Sequence, residues 1–522
     1  MTAKYEIFEL VLQGPDKGNP FRDVQLEALF TCGAVQKKVC GFYDGGGVYR
    51  IRFMPMEEGR WDYHTYANVS ELNGKTGDFI CTPAKPGKHG PVRVAADGQH
   101  FCYDDGTPFL PFGTTAYAWT SQKPELVAQT LDTLAAAPFN KIRMSPLPKS
   151  YDYNHGEPDL YPFEGGLISG CSPLAKRPFG AYTDPAYAFD FTRPNTAYWQ
   201  RFDRCVEGCG ALGIEVDLIL FYDYDRWGFA AMGRDNNLAY IRYVTARYGA
   251  YANIWWSMAN EWDLLKACKD FTEKDWELYA AEVARTDPYG HLCSIHNGRE
   301  SYDLTRPWIT HLSLQKMDHY AHVTTTENYR SYGKPIVWDE VCYEGNIPEE
   351  FGNISGEEMT SRFWEALTRG AYCTHGETYD RDDEILWWAK GGQLHGTSPE
   401  RIAFLRAILE ERPDAGTPVT GRVWMGYTQL NFGKTYVKHL ALPDGMTMDM
   451  SAADEMLFYL NFMQPVRARF MLHDTIRYKA TVLDTWEMTR HELPGTWSGE
   501  AEITLPGKPW QAVLFVAVDK NE

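Results

Sequence analysis

The 522-residue chain carries 51 Lys+Arg against 70 Asp+Glu, a formal net charge of −19. That balance speaks against a nucleic-acid partner, which needs a Lys/Arg surface to neutralise phosphates. With 44% hydrophobic and 23% charged residues the composition is globular rather than disordered, and at about 100–200 residues per domain it predicts two to four domains. The 17 Trp, 32 Tyr and 26 Phe exceed the ordinary share, and such rings fill cores and stack on flat ligands or sugar faces.

The segment Met1–Ile7 lacks a basic start followed by an apolar stretch of signal-peptide length, and no apolar run reaches the roughly 18 residues of a membrane span. Neither export nor a membrane partner is therefore expected. The 11 Cys form no CxxC pair, and Cys205 and Cys209, four apart on a predicted helix, lack a second zinc-spaced pair. Reduced thiols in a cytoplasmic protein are the simplest reading.

Residues 1–94 predict a β-sandwich. Val24–Phe30 and Val48–Phe53 alternate apolar and polar side chains, and Gly14-Pro15, Asp44–Gly47 and Asn73-Gly74 mark turns. Thr82–Pro91 is a plausible linker. From 95 to 414, apolar strands alternate with amphipathic helices. Strands are predicted at Phe109–Thr115, Lys141–Met144, Glu215–Phe221, Ile254–Met258, Leu292–Ile295, Ile309–Leu314, Pro335–Trp338 and Ala371–His375. Helices are predicted at Pro124–Ala136, Ala197–Leu212, Asn236–Tyr248, Glu273–Arg285 and Glu357–Thr368. Eight such strands make the fold class α/β, a (β/α)8 TIM barrel flanked by N-terminal and C-terminal β-sandwich domains. A doubly wound open sheet competes, but no G-x-G-x-x-G follows the first strand. Residues 415–522 return to short β runs, Arg422–Met425, Met456–Leu460 and Ala512–Val518, and predict a second sandwich.

In a barrel the residues just past the strand carboxyl ends build the site. The fourth predicted strand runs into Asn260-Glu261 and the seventh into Asp339-Glu340. Strands four and seven lie roughly opposite, so two carboxyls could flank one bond. At a separation of about 5–5.5 Å such a pair hydrolyses glycosides with retention through a covalent intermediate. One carboxyl, its pKa raised, serves as acid and then base; the other stays ionised to attack. The Asn260 amide can hydrogen-bond the hydroxyl beside the reacting carbon.

Asn260-Glu261 and Glu340 resemble the signature of the clan A retaining glycoside hydrolases. Gly41–Gly45, Asp190–Asn195, Trp255–Glu261 and Asp339–Asn346 are more specifically similar to the apiosidase-like bacterial hydrolases, once labelled collagen-binding, which pair an N-terminal β-sandwich and a C-terminal β-domain with the barrel. The resemblance implies Glu261 as acid/base and Glu340 as nucleophile. Some apiosidase-like enzymes use an Asp, which keeps Asp339 in reserve. It also implies that Arg143 holds the nucleophile's carboxylate. His296 after strand five, Gln315 after strand six and Glu377 after strand eight are expected to meet sugar hydroxyls.

Two further regions supply aromatic candidates. Tyr151, Tyr153, His155, Tyr161, Phe163 and Trp199 in the long segment after strand two are expected to form a wall or lid. Tyr222 and Trp227 after strand three, and Trp388 after strand eight, are expected to touch the sugar. An Asp223-x-Asp225 pair invites calcium only weakly. The expected function is hydrolysis of a small glycoside or oligosaccharide, exo-acting and retaining, with no cofactor or metal and with the sandwiches bracing the barrel or a homo-oligomer. A non-catalytic carbohydrate-binding protein and an inverting or endo-acting glycosidase are the alternatives. A phosphate-handling barrel would need cations where Glu340, Glu344, Glu377 and Asp380 stand, and a metal-dependent hydrolase would need more His ligands.

Overall fold

The computed structural model describes residues 1–151, 153–174, 183–316, 323–383, 385–412, 417–419, 427–441 and 447–518. Eight parallel strands form its centre: β1 (Phe112–Thr115), β2 (Lys141–Met144), β3 (Glu215–Phe221), β4 (Ile254–Ala259), β5 (Cys293–Ser294), β6 (Leu312–Gln315), β7 (Ile336–Glu340) and β8 (Tyr372–His375). They pair in the order β5-β4-β3-β2-β1-β8-β7-β6, and a parallel bridge between His296 and Ser313 joins the two ends into a ring. Neighbours in the ring are neighbours in sequence, so this is a TIM barrel and not an open doubly wound sheet.

Local chemistry sets the element ends. The seven residues of β3, Glu215-Val-Asp-Leu-Ile-Leu-Phe221, are all buried, as a strand covered on both faces requires. Helix Pro124–Ala136 begins with a proline, whose missing N–H costs nothing in a first turn. Helix Glu273–Thr286 opens on a reciprocal capping box between Thr272 and Asp275, and helix Gly356–Thr368 on the Ser355 side chain. The expected strand Phe109–Thr115 is split. Asn140 accepts the Phe112 N–H and donates to the Leu110 carbonyl, both at 2.7 Å, fixing a turn around Pro111. Phe109 accordingly belongs to a three-stranded antiparallel sheet with Phe101–Tyr103 and Val92–Val94. Phe101 of that sheet packs its ring against Trp255, His311 and Tyr372, closing the amino end of the barrel.

The N-terminal sheets, one of five strands and one of three, stack face to face through Phe8 on Phe79 and Phe30 on Phe53, with centroids 4.1 and 4.0 Å apart. A buried ion network fastens them to the barrel helices: Arg52 and Arg247 share Asp203 at 2.7 Å, and Arg247 reaches Asp44 at 2.8 Å. The C-terminal region pairs a six-stranded sheet with a two-stranded one around Phe458, Phe470 and Phe515. It meets helix Gly356–Thr368 through Trp364 on Tyr459 and Thr368 on Thr428. The expected strand Arg422–Met425 lies outside the described residues. No helix among those described is long and apolar enough to cross a membrane.

Candidate active site

A cavity of about 490 Å³ opens at the carboxyl end of the barrel, lined by Glu261 from the end of β4, Glu340 from β7, Gln315 from β6, and the rings of Tyr151, Tyr153, Tyr224, Tyr343, Phe351 and Trp388. Its size falls in the about 300–1,000 Å³ of small-molecule sites. Another cavity, of about 460 Å³, lies between the N-terminal sandwich and the barrel helices, lined among others by Phe21, Arg22, Tyr43 and Arg242, and holds neither candidate carboxyl.

Glu261 stands at a backbone break, and Glu340 lies two residues before another. Glu261 adopts φ 50°, ψ 57°, and Cys342, two residues past Glu340, has φ 62°. Left-handed conformations are costly for side chains with a Cβ and cluster at functional sites. The turn at Glu261 ends β4 and aims its carboxyl into the cavity. Gly298 makes room for it, since a Cβ there would meet the Glu261 Cβ at 3.3 Å.

The two carboxyls have different surroundings. Glu261 accepts from Tyr224 Oη at 2.6 Å, from Gln315 Nε2 at 2.9 Å and from Asn260 Nδ2 at 3.2 Å, all neutral donors. Burial first, and the charge of Glu340 second, push its pKa up to about 7, more than those donors pull it back. Glu340 Oε1 accepts from Tyr117 Oη at 2.5 Å and from Arg143 Nη1 at 3.2 Å. Burial pushes this carboxyl up as well, but neighbouring His296, Arg143, the Tyr117 hydroxyl and Lys149 outweigh it and hold Glu340 below the usual range. His296 is itself held near 4 by burial and by Arg143; it is uncharged at neutral pH, which leaves the pull to Arg143, Tyr117 and Lys149. Glu340 is thus ionised at neutral pH, while Glu261 is divided between its protonated and ionised forms.

Arg143 lies beneath the cavity rather than in its lining. It is fully buried, donates to Glu340, to Asn260 Oδ1 at 2.9 Å and to Tyr117 Oη at 3.2 Å, and so sets the position of three groups. Asn260 is similarly enclosed, its oxygen taken by Arg143 with the Tyr117 hydroxyl 3.1 Å away, and its amide turned to Glu261. His296 sits with both ring nitrogens unbonded among the described residues and Nδ1 3.7 Å from Glu340. Asp339 points into the barrel interior, away from the cavity. It pairs with Lys141 at 2.8 Å and accepts from Ser313 and Thr374 at 2.5 and 2.8 Å, which holds it strongly ionised.

Several expected contacts are corrected. Glu377 is buried, and both its oxygens are occupied by the N–H groups of His395 and Gly396, so it shapes the loop after β8 instead of meeting a sugar. Tyr222 is buried and donates its hydroxyl to the Pro148 carbonyl. Trp227 donates to Glu157 at 3.2 Å within a cluster containing Tyr161 and Phe229. Of the expected aromatic lid, Tyr151 and Tyr153 line the cavity, whereas Phe163 and Trp199 are core and His155 is exposed on the surface. Asp225 accepts the N–H groups of Trp227 and Ala230, each at 2.8 Å, a loop-capping role.

Tyr117, Tyr343 and Lys149 are site residues to which the sequence assigned no role, and Tyr224 lies in the aromatic loop after strand three, two residues past the expected Tyr222. Tyr343 fits because Gly376 faces it, where a Cβ would lie 2.0 Å from the Tyr343 ring. Tyr117 follows β1 and Tyr224 follows β3, positions at which a hydroxyl past a strand end was the available signal.

Residues 95–440 match the family model described as "Apiosidase-like, catalytic domain". The chain belongs to the apiosidase-like family. Flanking this apiosidase-like barrel, residues 1–68 and 444–515 match two domains of unknown function, DUF5060 and DUF5605. A solved Bacteroides vulgatus protein, provisionally described as a glycoside hydrolase, is similar to it with a TM-score of 0.85 at 35% identity over 99% of both chains. A family 5 glycoside hydrolase from the same organism shares the fold with a TM-score of 0.58 at 14% identity, over 83% of this chain and 94% of that one. No curated protein sequence matches. Family and fold are those of a glycoside hydrolase.

Proposed function

We propose that this apiosidase-like protein removes a terminal sugar from a small glycoside or oligosaccharide by retaining double displacement. The observation that carries the reading is the pair of carboxyls on one cavity with opposite displacements: Glu261 raised to about 7 and Glu340 lowered. In the first step Glu340 attacks the anomeric carbon while Glu261 gives its proton to the departing oxygen, so one C–O bond forms as another breaks. In the second, Glu261, now ionised, takes a proton from water, which displaces the Glu340 ester. Tyr117 and Arg143 both engage Oε1 of Glu340, which leaves Oε2 as the attacking oxygen.

Exo action is supported by the aromatic wall of Tyr151, Tyr153, Phe351 and Trp388, with Glu349 held at the rim by Tyr153 at 2.5 Å. A walled pocket favours a chain end over a polymer interior. A cytoplasmic location is supported by thiols such as those of Cys205, Cys209, Cys293 and Cys373, which are free and buried. The test is a panel of aryl pentosides and hexosides assayed with Glu261→Ala and Glu340→Ala. Azide should restore turnover to both, giving a glycosyl azide of retained configuration with the first and of inverted configuration with the second. Unchanged turnover in Glu261→Ala would instead place catalysis at a different centre, and no turnover of the panel by the wild type would favour a non-catalytic carbohydrate-binding protein.

A further inference from the structure

Lys149, in the loop after β2, is buried beneath the cavity, and its ammonium is surrounded by rings. Nζ lies 3.4 Å from the ring centroid of Tyr117 and 4.3 Å from that of Tyr224, with Tyr151 at 5.3 Å and Tyr222 at 5.8 Å. The two nearest rings are the two that hydrogen-bond the paired carboxyls: Tyr117 donates to Glu340 and Tyr224 to Glu261. Among the described residues no carboxylate is in direct ion-pair contact with the ammonium. We propose that Lys149 is a positioning residue, a cation clamped between the two tyrosines that orients both hydroxyls and keeps one of the two carboxyls ionised at every stage of the reaction.

This role for Lys149 rests on the double-displacement reading and on charge balance. Before reaction the charged partner is Glu340. Once Glu340 is esterified its charge is gone, but Glu261 has by then lost its proton and carries the charge instead. A cation placed between the two tyrosines therefore faces one carboxylate charge in both half-reactions. Aromatic faces stabilise a desolvated cation without forming a competing ion pair. The groups around it are Tyr117 from the β1 loop, Arg143 from β2, Tyr151 on its own loop, Tyr222, Asp223 and Tyr224 after β3, Glu261 after β4 and Glu340 on β7. Burial pushes the ammonium's pKa down and Arg143 adds to this, while Glu340, Glu261 and Asp223 pull it back up, leaving it at about 7, so that the group carries its charge throughout the range in which Glu340 titrates.

The experiment compares pH profiles of kcat/KM for wild type, Lys149→Met, Lys149→Gln and Lys149→Arg, on whichever aryl glycoside the wild type turns over. Melting temperatures confirm folding. Loss of this opposite charge should move the acid limb, which reports Glu340 ionisation, upward by about one pH unit in the neutral variants. The Arg variant should leave that limb in place. Lower activity with unmoved limbs in the neutral variants would reduce Lys149 to packing and overturn the proposal. So would failure of both neutral variants to fold, which would assign the charge to stability. Absence of turnover by the wild type would overturn the hydrolase reading itself, a separate outcome from any shift between variants.

Discussion

Tyr224→Phe removes one hydroxyl and little volume, and the structure fixes what should follow. The hydroxyl donates to Glu261 Oε2 at 2.6 Å and favours the ionised form, so its loss raises a pKa that already stands near 7. A hydrogen bond to a charged group contributes about 1.5–3 kcal/mol, and one pKa unit is about 1.4 kcal/mol. Gln315 and Asn260 still donate to the same carboxyl, which places the expected rise at the lower end, about one unit. The protonated form is the acid of the first step, so the basic limb of kcat/KM should move from about 7 to about 8. The ionised form is the base of the second step. In that step Glu340 is an uncharged ester and no longer raises the Glu261 pKa, so the base titrates lower than in the free enzyme. With a good aryl leaving group, which needs no acid help and makes the second step limiting, the acid limb of kcat should move up by about one unit while kcat/KM at about pH 7 stays near the wild-type value. A basic limb that stays put or moves downward would refute Glu261 as the titrating acid/base.

Further outcomes follow from buried charge. Asp339→Asn strips Lys141 of one of its two carboxylate partners inside the barrel and should cost about 3–5 kcal/mol in denaturant unfolding, because the remaining charges stay buried. Glu215 accepts from the Trp255 indole at 3.0 Å and is pushed up to about 8 by burial. The folded protein therefore holds a proton there that the unfolded chain has released, and stability falls as pH rises toward 8. Glu215→Gln should remove that loss and raise the melting temperature at about pH 8.5 relative to wild type. The comparison is best confined to pH above about 6.5, because the buried neutral histidines His296, His311 and His375 lose stability below it. Glu377→Gln should leave KM for an aryl glycoside within about twofold, the behaviour of a group that holds a loop and does not touch substrate; a rise of tenfold or more would return Glu377 to the sugar.

Much of the barrel was legible because its strands are short apolar runs and its helices carry their own caps. Lys141–Met144, Glu215–Phe221 and Pro124–Ala136 have the expected bounds. The carboxyls Glu261 and Glu340 were legible for the same reason: a charged residue where an apolar strand stops must sit at the rim. Beyond the strand ends, position along the chain no longer fixes direction. Tyr222 and Tyr224 are two residues apart on one loop, yet one turns to the Pro148 carbonyl and the other to Glu261. Glu377 has the same strand-end signature as Glu261, but the backbone N–H groups of a loop eighteen residues later claim it. Lys149 gave no signal, since its cage is assembled from the loops after β1, β2 and β3.

The stereochemistry of the first product formed decides whether Glu340 bonds to the sugar. Proton NMR of a hydrolysis begun with enough enzyme to complete turnover before mutarotation should show the anomer of the substrate appearing first. The opposite anomer at that moment would mean that water attacks directly, and that Glu340 forms no bond to the sugar.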